Sequence, residues 1–393
     1  MALPLSGLLA PLEKLAAADL GKVKITDIKM RPSASHTQIR IDTDAGISGM
    51  GESGVTAPMM KAWMDIYKPL LVGQDPLAIG YHWHRMSTLM HTYMARIPAL
   101  SGIDMALWDL SGRLLNVPVY KLLGGPFREQ VPVFINTEPR NMLDPASVKD
   151  WADQFRASPL GFRACKINTH TIFGIPMGRY TTALSAQDLH KLRTSFGNVR
   201  KELGLDYDIM VHCHWEFDLR TSIQLAQAVE PIKPVWLEDP LGVDYSDSWK
   251  RLAASSPVPI CTGENLARRE GFKDFILNQG CDILHPDLRN SGGFLETKRI
   301  ADMAAVFGLP MANHNTGSQV FTYSTCQWAA SIRDYIACET ITGQGGWMDQ
   351  VLVLDGPYIK DGFVQVADKP GLGIELNRNV VEAHLATGER WWS

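Results

Sequence analysis

Val235-Trp236-Leu237-Glu238-Asp239 and Ile260-Cys261-Thr262-Gly263-Glu264-Asn265 are the stretches on which the fold turns. Each is a short apolar run, too brief for a helix, that ends on acidic and polar residues. Working outward, similar runs begin near Val131, Arg163 and Ile209 on one side and near Ile283, Leu309 and Ala337 on the other, which makes eight. Most are separated by about 25 residues, room for one strand, one helix and two loops, the signature of βα units in a parallel sheet. In one interval, 295–307, Ile300, Met303, Ala304 and Phe307 fall at helical spacing, as a helix packed outside a barrel requires. The interval between the second and third runs is longer and predicts a loop or an extra helix. The whole fits an α/β barrel of TIM type, which takes roughly 250 residues.

Upstream the texture differs. Residues 23–44 read as two strands with a turn, and Asp44-Ala45-Gly46-Ile47-Ser48-Gly49-Met50-Gly51-Glu52 supplies glycine-rich turn chemistry before another short extended run. Helical patterns follow over about 58–71, 79–94 and 97–115, the last stopping before Val117-Pro118. Strands followed by helices indicate an α+β unit. Residues after about Asp361 read as short strands and turns outside the barrel repeat. The predicted division is an α+β unit over 1–128, a barrel over 129–360 and a closing segment over 361–393.

Composition narrows the function. With 45% hydrophobic and 20% charged residues and no biased run, the chain is neither disordered nor fibrous. Lys and Arg total 38 against 42 Asp and Glu, without a basic block, so nucleic acid and anionic membrane are poor partners and a small charged substrate remains open. Cys165, Cys213, Cys261, Cys281, Cys326 and Cys338 stand at least a dozen residues apart, which excludes CxxC redox and zinc-knuckle spacing and suits reduced thiols in a cytoplasmic protein. Lys14 and Asp19 interrupt the apolar opening, which has no basic region ahead of it, so no cleaved signal is expected. No stretch approaches the roughly 18 apolar residues of a membrane helix.

A barrel carries its chemistry at the carboxyl ends of its strands. There the runs end in Lys166-Ile167-Asn168, His212-Cys213-His214, Glu238-Asp239, Glu264-Asn265, Asp287, His314 and Glu339. Strand alternation puts Lys166 and Asn168 on one face, and likewise His212 and His214, with Cys165 and Cys213 turned toward the helices. Two acids on adjacent strands, with a ligand-capable residue one strand earlier, suggest a divalent metal site of the kind that suits Mg2+. The plainer alternative makes Glu238 and Glu264 ion-pair partners at the barrel mouth. Asp287, one strand before His314, either accepts a proton from that ring and makes it a better base or caps the next helix.

These strand ends and the N-terminal unit together resemble the enolase superfamily, in its mandelate racemase subgroup of acid-sugar dehydratases and racemases. The segment 46–52 is similar to that family's capping-domain hairpin, 99–110 (Ala-Leu-Ser-Gly-Ile-Asp-Met-Ala-Leu-Trp-Asp-Leu) to its characteristic helix, 117–125 to the entry into the barrel, and Lys369-Pro370-Gly371-Leu372-Gly373-Ile374-Glu375 to the closing segment. In this order the motifs cover nearly the whole chain. The resemblance implies a modified (β/α)7β barrel under an α+β cap built from both termini, and a metal that holds a substrate carboxylate. It places the metal ligands at His212, Glu238 and Glu264, the base at His314 with Asp287 as its partner, an acid at Glu339 and a carboxylate-binding lysine at Lys166.

Within the family, Lys166-Ile167-Asn168 lacks the second lysine of racemases and cycloisomerases, leaving Asn168 to contact substrate. His214 stands where galactonate-type and mannonate-type dehydratases carry the histidine that protonates the leaving hydroxyl. The implied reaction is dehydration of a sugar acid, an aldonate, to a 2-keto-3-deoxy acid. One departure stands out: His212 replaces the usual aspartate, exchanging an anionic oxygen for a nitrogen, so Mg2+, Mn2+ and other divalent metals all remain open. Racemisation, epimerisation or cycloisomerisation of a carboxylate, and a non-catalytic homologue whose site decayed at His212, are the competing readings. His285 is read as structural, Trp215, Phe217 and Trp391 as packing, and the assembly as a homo-oligomer.

Overall fold

A computed structural model describes residues 21–32, 36–88, 96–173, 183–341 and 346–392. Eight parallel strands form the centre: β4 (Gln130–Asn136), β5 (Ala164–Asn168), β6 (Asp208–His212), β7 (Trp236–Glu238), β8 (Ile260–Thr262), β9 (Ile283–Leu284), β10 (Met311–Asn313) and β11 (Tyr335–Thr340). Each pairs with the next, and β11 returns to β4 with Cys338 opposite Val133 and Thr340 opposite Ile135, which closes the barrel. Below the mouth its interior is filled by Phe134, Met210, Trp236, Cys261, Ile283, Ala312 and Ala337, side chains from successive strands stacked as barrel packing requires.

Seven helices alternate with these strands: α4 (Pro145–Arg156), α5 (Ala186–Leu203), α6 (Leu219–Val229), α7 (Asp247–Ser255), α8 (Arg268–Leu277), α9 (Gly293–Val306) and α10 (Gln319–Ala329). Their apolar faces and the outer faces of the strands form one continuous layer that includes Cys165 and Cys213. All six cysteines are free and buried. The long interval between β5 and β6 holds a short helix, His170–Phe173, besides α5. In α9 the expected face holds for Ile300 and Ala304, which are buried, while Phe307 is 44% exposed because the helix has ended there and Phe307 caps it.

The cap is an antiparallel sheet, β1 (Ile25–Pro32), β2 (Thr37–Thr43) and β3 (Ser48–Ser53), with α1 (Ala57–Leu71), α2 (Ile79–Thr88) and α3 (Ile97–Leu115). The second helical pattern was expected to run to residue 94, and 89–95 lie outside the described residues. The glycine-rich segment 44–52, expected to be a turn, is mostly β3. Its glycines serve close packing: a Cβ on Gly49 would overlap the backbone of Ala106 and Leu110, and one on Gly51 would lie 2.8 Å from the Ala106 nitrogen. Helix α3 therefore lies directly on the sheet, and it is buried on nearly every side between cap and barrel. That position explains its all-round apolar sequence.

The motif segments meet at Asp109 of α3. Its carboxylate accepts from the backbone N–H of Met50 at 2.8 Å and of Leu372 at 2.7 Å, tying the cap sheet and the closing segment to one helix. Gly371, with φ of 68°, bridges to Pro118, and a side chain there would strike Asp109. Further on, β12 (Leu352–Val353) pairs with β14 (Glu375–Leu376), and β13 (Phe363–Gln365) runs antiparallel to β4. The last described residues reach the cap, where Ala386 donates to the Pro32 carbonyl and the Arg31 guanidinium lies 4.5 and 4.2 Å from the rings of Trp391 and Trp392. Among the described residues no helix is long and apolar enough to cross a membrane.

Candidate metal and acid–base site

Parallel register sets the first row of the site. Asn168 is opposite His212 across β5 and β6, and His212 is opposite Glu238 across β6 and β7. Glu264 follows two residues after β8, and Asp239 directly after Glu238. His212 Nε2 lies 3.6 Å from Glu238 Oε1, 3.6 Å from Asp239 Oδ2 and 3.8 Å from Glu264 Oε2. One ligand atom from each of these four residues falls within 4.8 Å of the others, and all four are buried.

The donor chemistry fits a cation. Both nitrogens of His212, Asp239 Oδ2 and Glu264 Oε2 are buried without a hydrogen-bond partner, an arrangement too costly to leave uncompensated. Burial pushes Glu264 up to about 8, and burial with the Glu238 charge takes Asp239 to about 7. Both carboxyls crowd toward the same centre as Glu238. Burial drives His212 down to about 3, so its imidazole is neutral and able to ligate. The buried cluster therefore matches a divalent metal site.

Lys166, 1% exposed, donates to Glu238 at 3.0 Å and to Glu339 at 2.9 Å. Burial opposes its charge, yet Glu238 and Glu339 hold its pKa above the usual lysine value. Glu238 is further fixed by Trp236 Nε1 at 2.8 Å and has His285 Nδ1 at 3.4 Å. The ring of His285 thus belongs to the cluster's surroundings, stacked on Phe134 inside the barrel. Asn168 is turned aside: its amide donates to Asn136 Oδ1 at 3.0 Å, and its backbone N–H to Glu138.

Across the mouth, His314 follows β10. Its Nδ1 is 2.9 Å from Asp287 Oδ2, and Nε2 is 3.7 Å from Glu264 Oε2. Asp287 also accepts from the Arg289 backbone at 2.7 Å, so it caps the short helix Leu288–Ser291 while it orients the histidine. Both sequence readings of Asp287 describe the same residue. Burial would lower His314, but Glu264, Asp287 and Glu339 outweigh it and hold the ring near 9. Asp287 stays well below the usual carboxylate range against burial because Arg289 and His314 face it.

His214 has a positive φ of 55° that stacks its ring on His212, centroids 3.7 Å apart. His170 meets it edge-on at 5.3 Å. Burial, His212 and Lys166 together push His214 down to about 3. Trp215, expected to be packing, stands edge-on 6.1 Å from both His212 and His214 and walls the site. Phe217 packs in the strand–helix layer and Trp391 on Arg31, as expected.

Sequence reasoning missed several neighbours. Asp239 was visible beside Glu238, but strand alternation assigns it to the opposite face; its positive φ of 47° ends that alternation. Arg289 is two residues beyond Asp287, a spacing that suits a guanidinium returning to a carboxylate. Glu216, two residues past His214, is buried with neither oxygen partnered, and burial takes it to about 7.

Residues 23–124 match the N-terminal domain of the mandelate racemase / muconate lactonizing enzyme family, and 148–380 match its enolase C-terminal domain-like partner. A D-xylonate dehydratase of Haloferax volcanii is 33% identical over 359 residues, 89% of this chain and 85% of its own. A D-galactonate dehydratase of Pectobacterium atrosepticum is 28% identical over 380 residues, 94% of this chain and 95% of its own. A solved mandelate racemase/muconate lactonizing enzyme-like protein from Rubrobacter xylanophilus superposes with a TM-score of 0.85 at 27% identity, over 94% of this chain and 99% of that one.

Proposed function

We propose that this chain, which belongs to the mandelate racemase/muconate lactonizing enzyme family of the enolase superfamily, is a divalent-metal-dependent dehydratase of an aldonate. The observation that carries the reading is the placement of two histidines about one cluster: His314, fixed through Nδ1 by Asp287, presents Nε2 toward Glu264, while His214 stacks on His212. Dehydratases of D-xylonate, D-galactonate and D-gluconate are among its relatives.

His212, Glu238 and Glu264 would hold the metal, with Asp239 supplying the anionic oxygen that a histidine at 212 takes away. When bound, a divalent cation supplies positive charge for the substrate carboxylate and cancels the Glu264 charge that holds His314 protonated. Mg2+ suits the three carboxylates, and Mn2+ accepts the imidazole more readily. Lys166 spends two of its three N–H donors on Glu238 and Glu339, and the third is left for the substrate carboxylate. His314 Nε2 takes the proton from the carbon beside that carboxylate. Asp287 fixes the tautomer that makes Nε2 the acceptor. The electron pair left behind forms the new double bond as the β-carbon–oxygen bond breaks; the departing hydroxyl leaves as water with a proton from His214, which must first gain that proton from solvent against the burial that keeps its resting ring neutral. The resulting enol ketonises to the 2-keto-3-deoxy acid. Glu339 would contact substrate hydroxyls, and Asn168, its amide N–H held by Asn136, would do so through Oδ1.

One observation favours a second reading. His314 and His214 border the same cluster, a pair in which one ring takes the α-proton and the other returns one, as in a racemase or epimerase. Purified protein incubated in D2O with each of the three acids and Mg2+ or Mn2+ separates the two. Dehydration yields a 2-keto acid; epimerisation yields α-deuterated acid with no loss of water, and that result overturns the dehydratase reading.

A further inference from the structure

Glu52 belongs to the cap, yet its carboxylate serves the barrel. It is fully buried in β3, and the Ser318 backbone donates to Oε1 at 3.1 Å while the Ser318 hydroxyl donates to Oε2. Arg289 Nη1 stands 3.6 Å from Oε1, and from the cap side His36 Nδ1 is also 3.6 Å away. Gly317 makes the approach possible, since a Cβ there would lie 2.7 Å from Glu52 Oε1. If the purpose were only to dock cap on barrel, apolar side chains would serve as well or better than a buried charge. What an apolar group does not reproduce is a fixed negative charge facing one end of a guanidinium.

We propose that Glu52 is a positioning residue for the His314–Asp287 pair, acting through Arg289. The guanidinium is a rigid planar fork. Its Nη2 donates to Asp287 Oδ2 at 2.9 Å and to Thr316 at 2.9 Å, its Nε is 3.3 Å from Asp287 Oδ1, and its Cζ stands over the Phe321 ring, 4.4 Å from the centroid. Holding Nη1 at Glu52 therefore sets where Nε and Nη2 stand. Those two nitrogens set the rotation of the Asp287 carboxylate, and its Oδ2 holds His314 Nδ1. The series His36, Glu52, Arg289, Asp287, His314 joins the cap to the base, so a docked cap is read out as an aligned histidine.

This inference rests on the base role given to His314 in the proposed function. The test compares Glu52→Gln, Arg289→Lys and the double variant, each loaded with Mg2+ or Mn2+, on whichever of D-xylonate, D-galactonate and D-gluconate the wild type turns over fastest. Glu52→Gln is expected to lower kcat on the order of tenfold, the scale of losses at groups that orient a functional residue, with KM nearly unchanged. The double variant should be no slower than Arg289→Lys alone, because both act on one path. The second readout needs no turnover: the hydrogen-bonded Nδ1 proton of His314, followed by NMR, should shift or broaden in Glu52→Gln. Full kcat in Glu52→Gln, losses that multiply in the double variant, or a lower melting temperature with kcat per folded molecule retained would each overturn the proposal. If the wild type converts none of the acids, the dehydratase reading fails separately and the NMR signal decides: a moved proton supports the positioning role, and an unmoved one refutes it.

Discussion

Lys166→Met removes the only ion-pair partner that Glu339 has among the described residues, and the ammonium that Glu238 accepts from. The methionine keeps most of the volume, so the effect is electrostatic. Lys166, Glu238 and Glu339 are each no more than 1% exposed, which leaves no solvent to screen the two carboxylates once the ammonium is gone. Breaking a buried ion pair by deleting one partner costs about 3–5 kcal/mol. Spread over 393 residues, with an unfolding entropy of about 2.1 cal/mol/K per residue, that loss lowers the melting temperature by roughly 4 to 6 °C. The loss also acquires a pH dependence. Without Lys166 the folded-state pKa of both glutamates rises, so the folded protein binds more protons than the unfolded chain. Stability then falls as pH climbs above the unfolded carboxyl value of about 4.3. Thermal unfolding by circular dichroism in chelator should show a deficit already at pH 5, where Lys166 keeps both wild-type glutamates below the usual carboxylate range, and a larger one at pH 8, with excess Mn2+ restoring part of it by mass action. A deficit below about 1 kcal/mol, the scale of an exposed pair, or one independent of pH, would refute the picture of Lys166 as the buried counter-charge.

Other expectations follow from the same geometry. His314→Asn should abolish solvent exchange of the α-proton, a loss of about 10²–10⁴-fold or more, while substrate affinity by calorimetry changes little; near-normal exchange removes His314 from the base role. In chelated protein the stabilisation His314 contributes should be complete below about 6.5, its unfolded value, and disappear as pH rises through about 9, so wild type and His314→Asn should converge in melting temperature at high pH. His212→Asp should tighten Mg2+ relative to Mn2+ in titration calorimetry, and Asp239→Asn should weaken both; equal binding in each variant would take these residues out of the ligand set. Gly49→Ala should destabilise by about 1–3 kcal/mol, since α3 cannot yield its backbone to the added methyl group; an unchanged melting temperature would contradict that packing.

The barrel was legible because its signal is local: eight apolar runs of strand length, each ending on a polar residue, with helical periodicity between. The cap sheet was half legible. Gly49 and Gly51 look like turn residues in a sequence, and only the approach of Ala106 and Leu110 shows that they are a flat surface for a helix. In the candidate site, His212 with His214 and Lys166 with Asn168 could be paired by alternation along one strand. Alternation also misled, because it leaves Asp239 on the outer face until its positive φ turns it in. The sequence likewise gives no register between strands, and register is what puts His212 beside Glu238 and sends the Asn168 amide to Asn136. Charge states were the least accessible. The family resemblance implies an acid at His214 and a base at His314, but the resting charges, His314 held up by Glu264 and Asp287 and His214 driven down by burial, depend on neighbours from several strands.

The proposed reaction takes a proton from the carbon beside a sugar-acid carboxylate and expels the neighbouring hydroxyl. Incubating the purified protein in D2O with D-xylonate, D-galactonate and D-gluconate, in Mg2+ and in Mn2+, and following both 2-keto acid formation and α-deuterium by NMR tests it directly. A 2-keto-3-deoxy acid should form from at least one of the three and be lost on His314→Asn. Absence of keto acid and of α-deuterium in every combination would contradict it and leave a barrel whose site no longer performs this chemistry.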